Sequence, residues 1–343
     1  MFRKIKEKIK KSKAYKRFRK DLKAFSSFDK LCIAYEIHRE SWLYNVIYAL
    51  SQKGFDFVPK NGIEFSKEDD EVLCIGTFNN FIENLEEVQN TIKFSFNLSL
   101  IYPWIAYEIF VDKIYKLPKS VNFLLFKNNQ KYAVLDIGAN RGYASLYFAM
   151  QEWCEKIFAF ELFPQICQAA RANFSLNPAL ATKINLYEYG LGNKENIDNS
   201  KSNGGGDLGE IESFYLPHRD GISSMNSEFL DSYAPEESDN HSKTICKIRA
   251  SSETLKEIFT QNPNSHFILK IDVEGAEYEI MRDIATHFPQ AFAQIDCILG
   301  DTHRGFVEWL KILRPFGYEV FFAKPTDNGC CEFIMLSARI LHY

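Results

Sequence analysis

The sequence of 343 residues lacks several features that would place it in a common class of protein. It has no run of about 18 to 20 uninterrupted apolar residues, which a membrane-spanning helix needs. It has no internal repeat. Its eight cysteines form no Cys-x-x-Cys pair and no Cys/His spacing typical of zinc sites. The glycine run at 204–206 is not followed by Gly-Lys-Ser/Thr, so it predicts a flexible loop and not a phosphate cradle.

The amino terminus does not resemble a secretory signal, because it is basic and has no apolar segment. We therefore expect the cysteines to be reduced thiols in a cytoplasmic protein. Hydrophobic residues make up 46% of the chain and aromatic residues 15%, which is enough for a sizeable core.

Charge is distributed unevenly along the chain. Residues 1–23 carry twelve Lys and Arg against two acidic residues, a net +10, whereas the whole chain has a net charge of −4. The remainder therefore carries −14, which argues against a general nucleic-acid binder. Apolar residues recur at helical spacing in residues 1–25, so this segment predicts a basic amphipathic helix. Two interpretations remain open: peripheral contact with an anionic membrane at the inner face, and a solvated helix packed on its own protein.

The pattern of the sequence changes near residue 121. Residues 26–120 predict a mainly helical region of unknown role, with 81–94 as the clearest amphipathic helix. Residues 121–343 alternate strand and helix patterns, which predicts an α/β domain with a mostly parallel sheet. The predicted strands are 133–138, 156–161, 183–192, 243–250, 267–272, 294–301, 317–323 and 331–338. The last two should form an antiparallel hairpin at one edge, and 251–259 should be a capped helix.

Two of these strands end in residues suited to ligand binding. The first runs into DIGANRG (136–142), where Gly138 and Gly142 permit a tight turn and a close approach of the backbone to a ligand. The second ends at Glu161, whose carboxylate can accept hydrogen bonds from two ribose hydroxyls. Ligands of open α/β sheets bind at the carboxyl ends of strands, near the point where strand order reverses.

The turn favours S-adenosyl-L-methionine over a nicotinamide dinucleotide. A dinucleotide prefers Gly-x-Gly-x-x-Gly, and here Asn140 stands at the second glycine position. Asp136 adds negative charge, which would repel a pyrophosphate but would suit the sulfonium and ammonium groups of S-adenosyl-L-methionine.

A third charged stretch, KIDVEGAE (270–277), follows an apolar run. Because side chains alternate along a strand, Lys270, Asp272 and Glu274 are expected on one face. An ammonium beside two carboxylates is costly in a half-buried place unless the groups are paired, hydrated or bound to a ligand. A structural salt bridge and a functional site both fit. Glu277, in the first turn of the next helix, is expected to be mainly structural.

With these stretches the sequence resembles the FkbM-type methyltransferase family. VLDIGANRGYASLYFA, FAFELFP and LKIDVEGAEYEIM match the family pattern in order, and the resemblance covers about residues 120–343. It implies a class I methyltransferase fold, a Rossmann-like seven-stranded sheet, with S-adenosyl-L-methionine as the cofactor. It also implies methylation of hydroxyl groups on sugars or secondary metabolites. The cofactor residues that it implies are Asp136, Gly138, Asn140, Gly142, Glu161 and Leu162.

Four residues are expected to be catalytic: Lys270, Asp272, Glu274 and His303. Methyl transfer is an in-line displacement, so the acceptor hydroxyl must be held near the methyl carbon and lose its proton. Asp272 or Glu274 would accept the proton, while Lys270 would keep a carboxylate ionised or stabilise the developing alkoxide. Asp301 and His303 fit a family pattern of an acid followed two positions later by histidine. A polar loop residue is the alternative for His303.

Other assignments are less specific. The same carboxylates and His303 could bind a hard divalent cation, but no spacing demands one, so no metal site is predicted. Ser223 and Ser224 resemble a family loop on the substrate side, and an ordinary turn is the alternative. Tyr143 is either a pocket wall or part of the core.

The sequence thus predicts an S-adenosyl-L-methionine-dependent O-methyltransferase that acts on a saccharide hydroxyl in a surface glycan or its precursor. The partner is a saccharide or small-molecule acceptor, and no nucleic acid is expected. The alternatives are a methyltransferase of a small metabolite or amine, a non-catalytic scaffold with the same fold, and a nicotinamide oxidoreductase. The scaffold is disfavoured because it would need none of Asp136, Gly138, Gly142 and Glu161.

Overall fold

The computed structural model describes residues 108–195, 208–216, 223–225, 242–303, 305–325 and 330–341, three strands before them, and residues 105 and 197. The chain divides into two compact units, Met1–Tyr107 and Glu108–Tyr343. The second unit therefore begins before residue 121, where the sequence pattern places the change.

The first unit contains an antiparallel sheet of order β1-β2-β3, formed by β1 (Phe55–Pro59), β2 (Leu73–Phe78) and β3 (Ile92–Asn97). These strands lie in the region predicted to be mainly helical. The helix predicted at 81–94 is wrong over residues 92–94, which belong to β3. IKFSFN alternates apolar and polar residues, and this period of two outweighs the helical pattern before it. Residues 81–91 and the predicted helix at 1–25 lie outside the described residues.

The second unit alternates strands and helices. Its strands are β4 (Tyr132–Ile137), β5 (Cys154–Phe160), β6 (Ile184–Tyr187), β7 (Gly190–Gly192), β8 (Gly209–Tyr215), β9 (Ser242–Ala250), β10 (His266–Ile271), β11 (Ile295–Thr302), β12 (Tyr318–Pro325) and β13 (Cys331–Ser337). Its α-helices are α1 (Lys119–Leu125), α2 (Tyr143–Ala149), α3 (Pro164–Ser175), α4 (Pro178–Ala181), α5 (Ser251–Gln261), α6 (Glu277–His287), α7 (Phe306–Leu313) and α8 (Ala338–Leu341). Single turns of 3₁₀-helix occur at Lys127–Asn129, Pro289–Ala293 and Arg314–Phe316, and a π-helix at Glu108–Asp112.

Seven strands form one sheet of order β6-β5-β4-β10-β11-β13-β12. The pairs from β6 to β11 are parallel, whereas β13 is antiparallel to both β11 and β12. The predicted mostly parallel sheet with an antiparallel hairpin at one edge is confirmed. Strand order reverses between β4 and β10, so their carboxyl ends lie side by side at the point where such sheets bind ligands.

A second sheet of order β7-β9-β8 accounts for the strand predicted at 243–250, which is β9. The single strand predicted at 183–192 is instead divided into β6 and β7, which belong to different sheets. Gly190 packs closely where the two strands divide: a Cβ there would lie 2.7 Å from Cδ1 of Leu162, so a larger residue would require that side chain to move.

The amino terminus of α5 is held differently from the expected local cap, since no side chain at its own N-cap forms a hydrogen bond. A carboxylate of α6 takes this role: the Ser252 amide donates to Asp283 Oδ2 over 2.7 Å. Asp283 Oδ1 accepts from the Lys194 amide over 2.9 Å. One buried side chain therefore ties α5 and the segment after β7 to α6.

The core lies on both faces of the large sheet. All six residues of β4 and five of the six in β10 are buried, which explains their nearly continuous apolar sequences. The six cysteines of the second unit are buried and free, as expected for reduced thiols. Among the described residues, no helix is long and apolar enough to cross a membrane.

Candidate active site

The first part of the site is the turn that joins β4 to α2. Gly138 has φ +82°, Asn140 has φ +50° and Gly142 has φ +77°. A Cβ at Gly138 would overlap the carbonyl oxygen of Asp272, so a residue other than glycine would separate the β4 turn from the segment after β10. Asn140 tolerates its left-handed backbone because its Oδ1 accepts from the Arg141 amide over 2.7 Å.

Glu161 anchors this turn. Its Oε2 accepts from the Asn140 amide over 2.8 Å and its Oε1 accepts from the Phe163 amide over 2.9 Å. The side chain follows β5 and is only 6% exposed. A carboxylate has about four acceptor positions, so Glu161 can accept from more donors than these two amides. Leu162 is partly buried and packs against the cluster that contains Phe163.

Asp136 and Lys270 form a buried ion pair inside the sheet. The two residues are partners in the parallel register of β4 and β10, and Lys270 Nζ lies 3.2 Å from Asp136 Oδ1. Lys270 Nζ also donates to the Gly138 carbonyl over 2.6 Å. Ser145 Oγ donates to Asp136 Oδ2 over 2.6 Å. These contacts fix the position of the turn between β4 and α2 relative to the sheet.

This placement differs from two expectations. Asp136 is fully buried and neutralised by Lys270, so it does not present an open carboxylate to a cationic ligand. Lys270 is 2% exposed and points at the turn, which favours an electrostatic role over direct contact with an alkoxide. Burial lowers the pKa of Lys270, but the charges of Asp136 and Asp272 outweigh burial and raise it overall.

Asp272 follows β10, and its side chain is bound by Tyr115, a residue that belongs to none of the sequence motifs. Tyr115 donates its hydroxyl to Asp272 Oδ2 over 3.0 Å, and Lys270 Nζ lies 5.6 Å from the centre of the Tyr115 ring. Burial, followed by the negative charge of Asp272, raises the pKa of Tyr115 well above its ordinary value. Tyr115 therefore remains a hydrogen-bond donor. It lies outside the three family-like stretches, so sequence reasoning missed it.

His303 lies between two glutamates. Its Nδ1 is 2.7 Å from Glu277 Oε1 and its Nε2 is 3.3 Å from Glu274 Oε2. Glu277 is the first residue of α6 and also accepts from the Val273 and Gly275 amides, so it has the structural role expected of it and orients His303 as well. The structure thus brings His303 to the stretch at 270–277, and its catalytic role stays a prediction.

The electrostatics of this group follow from burial and crowding. Burial lowers the pKa of His303, but Glu274 and Glu277 outweigh it and raise the pKa to about 11. Burial raises the pKa of Glu274; the charge of His303 opposes this rise, and that of Asp272 adds to it. Burial and the charge of Asp272 also raise the pKa of Asp301, with His303 opposing. The carboxylates of Glu274 and Asp301 are therefore stronger bases than usual.

The loop that contains Ser223 and Ser224 contacts the backbone of Glu274. Ser224 Oγ donates to the Glu274 carbonyl over 2.7 Å, where Glu274 has φ +51°. Ser223 Oγ accepts from the Leu216 amide over 2.9 Å. The loop thus fixes the backbone that carries Glu274. Tyr143 is 1% exposed and belongs to the core.

The arrangement has two adjoining parts: a glycine turn with a terminal acid, and a group of carboxylates with one histidine. On a seven-stranded sheet of this order, at the reversal of strand order, they define the class of Rossmann-like methyltransferases. The family model described as the methyltransferase FkbM domain matches residues 136–320, more than half of the chain. The chain belongs to this family.

No curated protein matches the sequence. Solved structures that resemble it include a protein of the NADB-Rossmann superfamily from Streptococcus agalactiae, at 13% identity over 65% of this chain and 69% of that chain, with a TM-score of 0.32. A putative tRNA methyltransferase from Streptococcus pneumoniae in complex with S-adenosyl-L-methionine is 12% identical over 65% and 73%, with a TM-score of 0.32. A precorrin-6y methyltransferase from Geobacter metallireducens is 14% identical over 63% and 85%, with a TM-score of 0.30. Similarities at this level add no argument about substrate.

Family membership makes the chain an S-adenosyl-L-methionine-dependent methyltransferase. The residues of the site fit this cofactor. The buried carboxylate of Glu161 matches the hydroxyl donors of a ribose, and the turn at Gly138 exposes backbone without a side chain in the way. When bound, the cofactor supplies a methyl group on a sulfonium sulfur as the electrophile.

Proposed function

We propose that the protein is an O-methyltransferase that methylates a saccharide hydroxyl in a surface glycan or its precursor. One observation carries the proposal: carboxylates suited to removing a hydroxyl proton border the cofactor turn. The Asp272 amide donates to the Ile137 carbonyl over 3.1 Å, and the Asp272 carbonyl lies against Gly138. The backbone that carries the candidate base Asp272 is therefore in direct contact with the backbone of the cofactor turn.

The residues divide the work as follows. Asp272 or Glu274 accepts the proton of the acceptor hydroxyl as the oxygen forms its bond to the methyl carbon. The bound cofactor would supply the methyl group and would keep the electron pair of the carbon–sulfur bond on its sulfur. Lys270 places positive charge beside Asp272, and the charge of His303 opposes the rise that burial causes in the pKa of Glu274. Asp136, Gly138, Asn140, Gly142, Glu161 and Leu162 form or support the cofactor side.

The test is methyl transfer from S-adenosyl-L-methionine with a labelled methyl group to a panel of sugars, glycan fragments, polyols and amines. Mass spectrometry of the products separates O-methyl from N-methyl linkages. We expect label in an ether on a sugar and at least a hundredfold loss of kcat in Glu274→Gln. The control is Glu279→Gln, which removes an acid on α6 away from this group. Label found only on amines would favour the amine alternative.

The acidic surroundings give the amine alternative a physical basis, because Asp272, Glu274 and Asp301 would also attract a cationic acceptor. An amine would have to lose its proton before attack, whereas a sugar hydroxyl needs only the base. The hydroxyl is therefore the acceptor that we propose first.

We also propose a cytoplasmic protein with peripheral contact at the inner membrane face through its basic residues 1–25. Their charge is the support for this part. A truncation that lacks residues 1–25 should sediment less with anionic vesicles than the full chain does. Equal sedimentation of the two would contradict the membrane contact and leave the enzymatic proposal intact.

A further inference from the structure

Three side chains at the site are placed like the ligands of a metal ion. Asp272, Glu274 and His303 each offer one ligand atom, and these atoms all lie within 4.8 Å of one another. Ligands on opposite sides of an ion with bonds of about 2.1 Å are about 4.2 Å apart. Small side-chain rotations would therefore bring all three onto one ion.

The histidine is oriented for ligation. Glu277 is buried and holds His303 Nδ1 at 2.7 Å, so Nε2 points towards Glu274. Metal-binding histidines usually have a carboxylate bound to the ring nitrogen that does not face the metal. This carboxylate fixes the tautomer and the orientation of the ring. His303 Nε2 and Glu274 Oε2 are 3.3 Å apart, close to the separation of about 3.0 Å between adjacent ligands of an octahedral ion.

The carboxylates supply a second indication. Glu274 Oε2 is buried, and His303 Nε2, 3.3 Å away, forms no hydrogen bond of good geometry with it. Tyr115 binds one oxygen of Asp272, and the other oxygen is the one that the cation would take. The backbone of Glu274 is held in the left-handed region by Ser224, and this fixes the start of its side chain. A buried carboxylate oxygen of this kind gains most from a cation.

We propose that Asp272, Glu274 and His303 bind one hard divalent cation, Mn²⁺ or Mg²⁺. Two carboxylates and one neutral imidazole suit these ions, which take six ligands, and the ion replaces the proton on His303 Nε2, which is released to solvent. Three coordination positions remain, and neighbouring hydroxyls of a polyol acceptor can occupy two of them. This inference rests on the proposed function, and it narrows the acceptor to a molecule with two adjacent hydroxyls. Each carboxylate needs only one oxygen for the cation, so the second oxygen of Glu274 can still accept the proton.

The test measures Mn²⁺ directly, without methyl transfer. The full chain is freed of metal with a chelator, and Mn²⁺ is titrated while the free ion is followed by electron paramagnetic resonance. The account expects one site of sub-millimolar affinity for which Mg²⁺ competes. Asp272→Asn and His303→Gln should each weaken it by about tenfold or more. Glu332→Gln removes a nearby acid that pairs with Lys324, and it should retain the site.

Folding of each variant is verified by its melting temperature and by binding of S-adenosylhomocysteine. If Asp272→Asn does not fold, His303→Gln alone decides the matter. Absence of Mn²⁺ binding to the folded chain overturns the inference, as does equal weakening in Glu332→Gln, which would show only diffuse attraction. Mn²⁺ binding without transfer to any hydroxyl acceptor would support the cation site and count against the proposed function. Methyl transfer to a hydroxyl that is undiminished in chelator would support the proposed function and count against the cation site.

Discussion

Gly138 illustrates how single residues set the geometry of this site. It combines a left-handed backbone, at φ +82°, with direct contact to the carbonyl of Asp272. The sequence predicted a tight turn here because glycine is the usual residue for such a backbone. It could not predict that the turn touches the segment after β10, since that contact depends on the register of two strands far apart in the chain.

Gly138→Ala should therefore be much more harmful than the same change at Gly305. Gly305 also has a positive φ, at +97°, but among the described residues no atom lies within 4 Å of the position of its Cβ. We expect Gly305→Ala to lower the free energy of unfolding by about 1 to 2 kcal/mol through backbone strain. Gly138→Ala adds a steric overlap, so it should lose more than twice as much and also lose S-adenosylhomocysteine binding. Similar denaturation midpoints for the two variants would contradict this account.

The buried pair of Asp136 and Lys270 leads to a second prediction at this scale. Lys270→Met would leave the carboxylate of Asp136 without its counter-charge, at an expected cost of about 3 to 5 kcal/mol in urea denaturation. Adding Asp136→Asn removes the buried charge and should restore most of the stability. A double variant no more stable than Lys270→Met would show that the lysine acts through its bond to Gly138 instead.

At the scale of elements, the sequence predicted the strands of the large sheet well because they are apolar on both faces. The small sheet was harder to predict, since β6 and β7 form one continuous strand pattern in the sequence although they belong to different sheets. The strands of the first unit are only five or six residues long, and the helical pattern of the sequence before residue 92 obscures the alternation of IKFSFN. Tyr115 and the capping by Asp283 had no local signal, as both act across more than thirty residues of chain.

Asp283 should be the strongest single link between helices in the second unit. Asp283→Ala leaves two amides, of Ser252 and Lys194, without their acceptor, which should cost about 2 to 4 kcal/mol. Glu279→Ala on the same helix should cost less than about 0.5 kcal/mol. The comparison is made by chemical denaturation, and amide hydrogen exchange should show faster exchange at the start of α5 in Asp283→Ala only. Unchanged protection there would contradict the capping role.

The second unit buries all six of its thiols. Six of the eight cysteines are free and buried in the second unit. Burial also raises the pKa of thiols such as Cys154 and Cys246, to about 12 and about 11, which disfavours the reactive thiolate. We expect no more than two cysteines per chain to react quickly with a thiol reagent in the native state, and all eight in denaturant. Rapid reaction of three or more would show that the second unit opens readily.

The central claim is that the β4 turn and Glu161 bind S-adenosyl-L-methionine. It is tested most directly by calorimetric titration of the full chain with S-adenosylhomocysteine, with NAD as the ligand control. The account predicts micromolar binding of S-adenosylhomocysteine, none of NAD, and at least a tenfold loss in Glu161→Ala. Glu188→Ala, which removes an exposed acid paired with Arg171, should bind as the unmodified chain does. A folded chain that binds NAD, or neither ligand, would contradict the account.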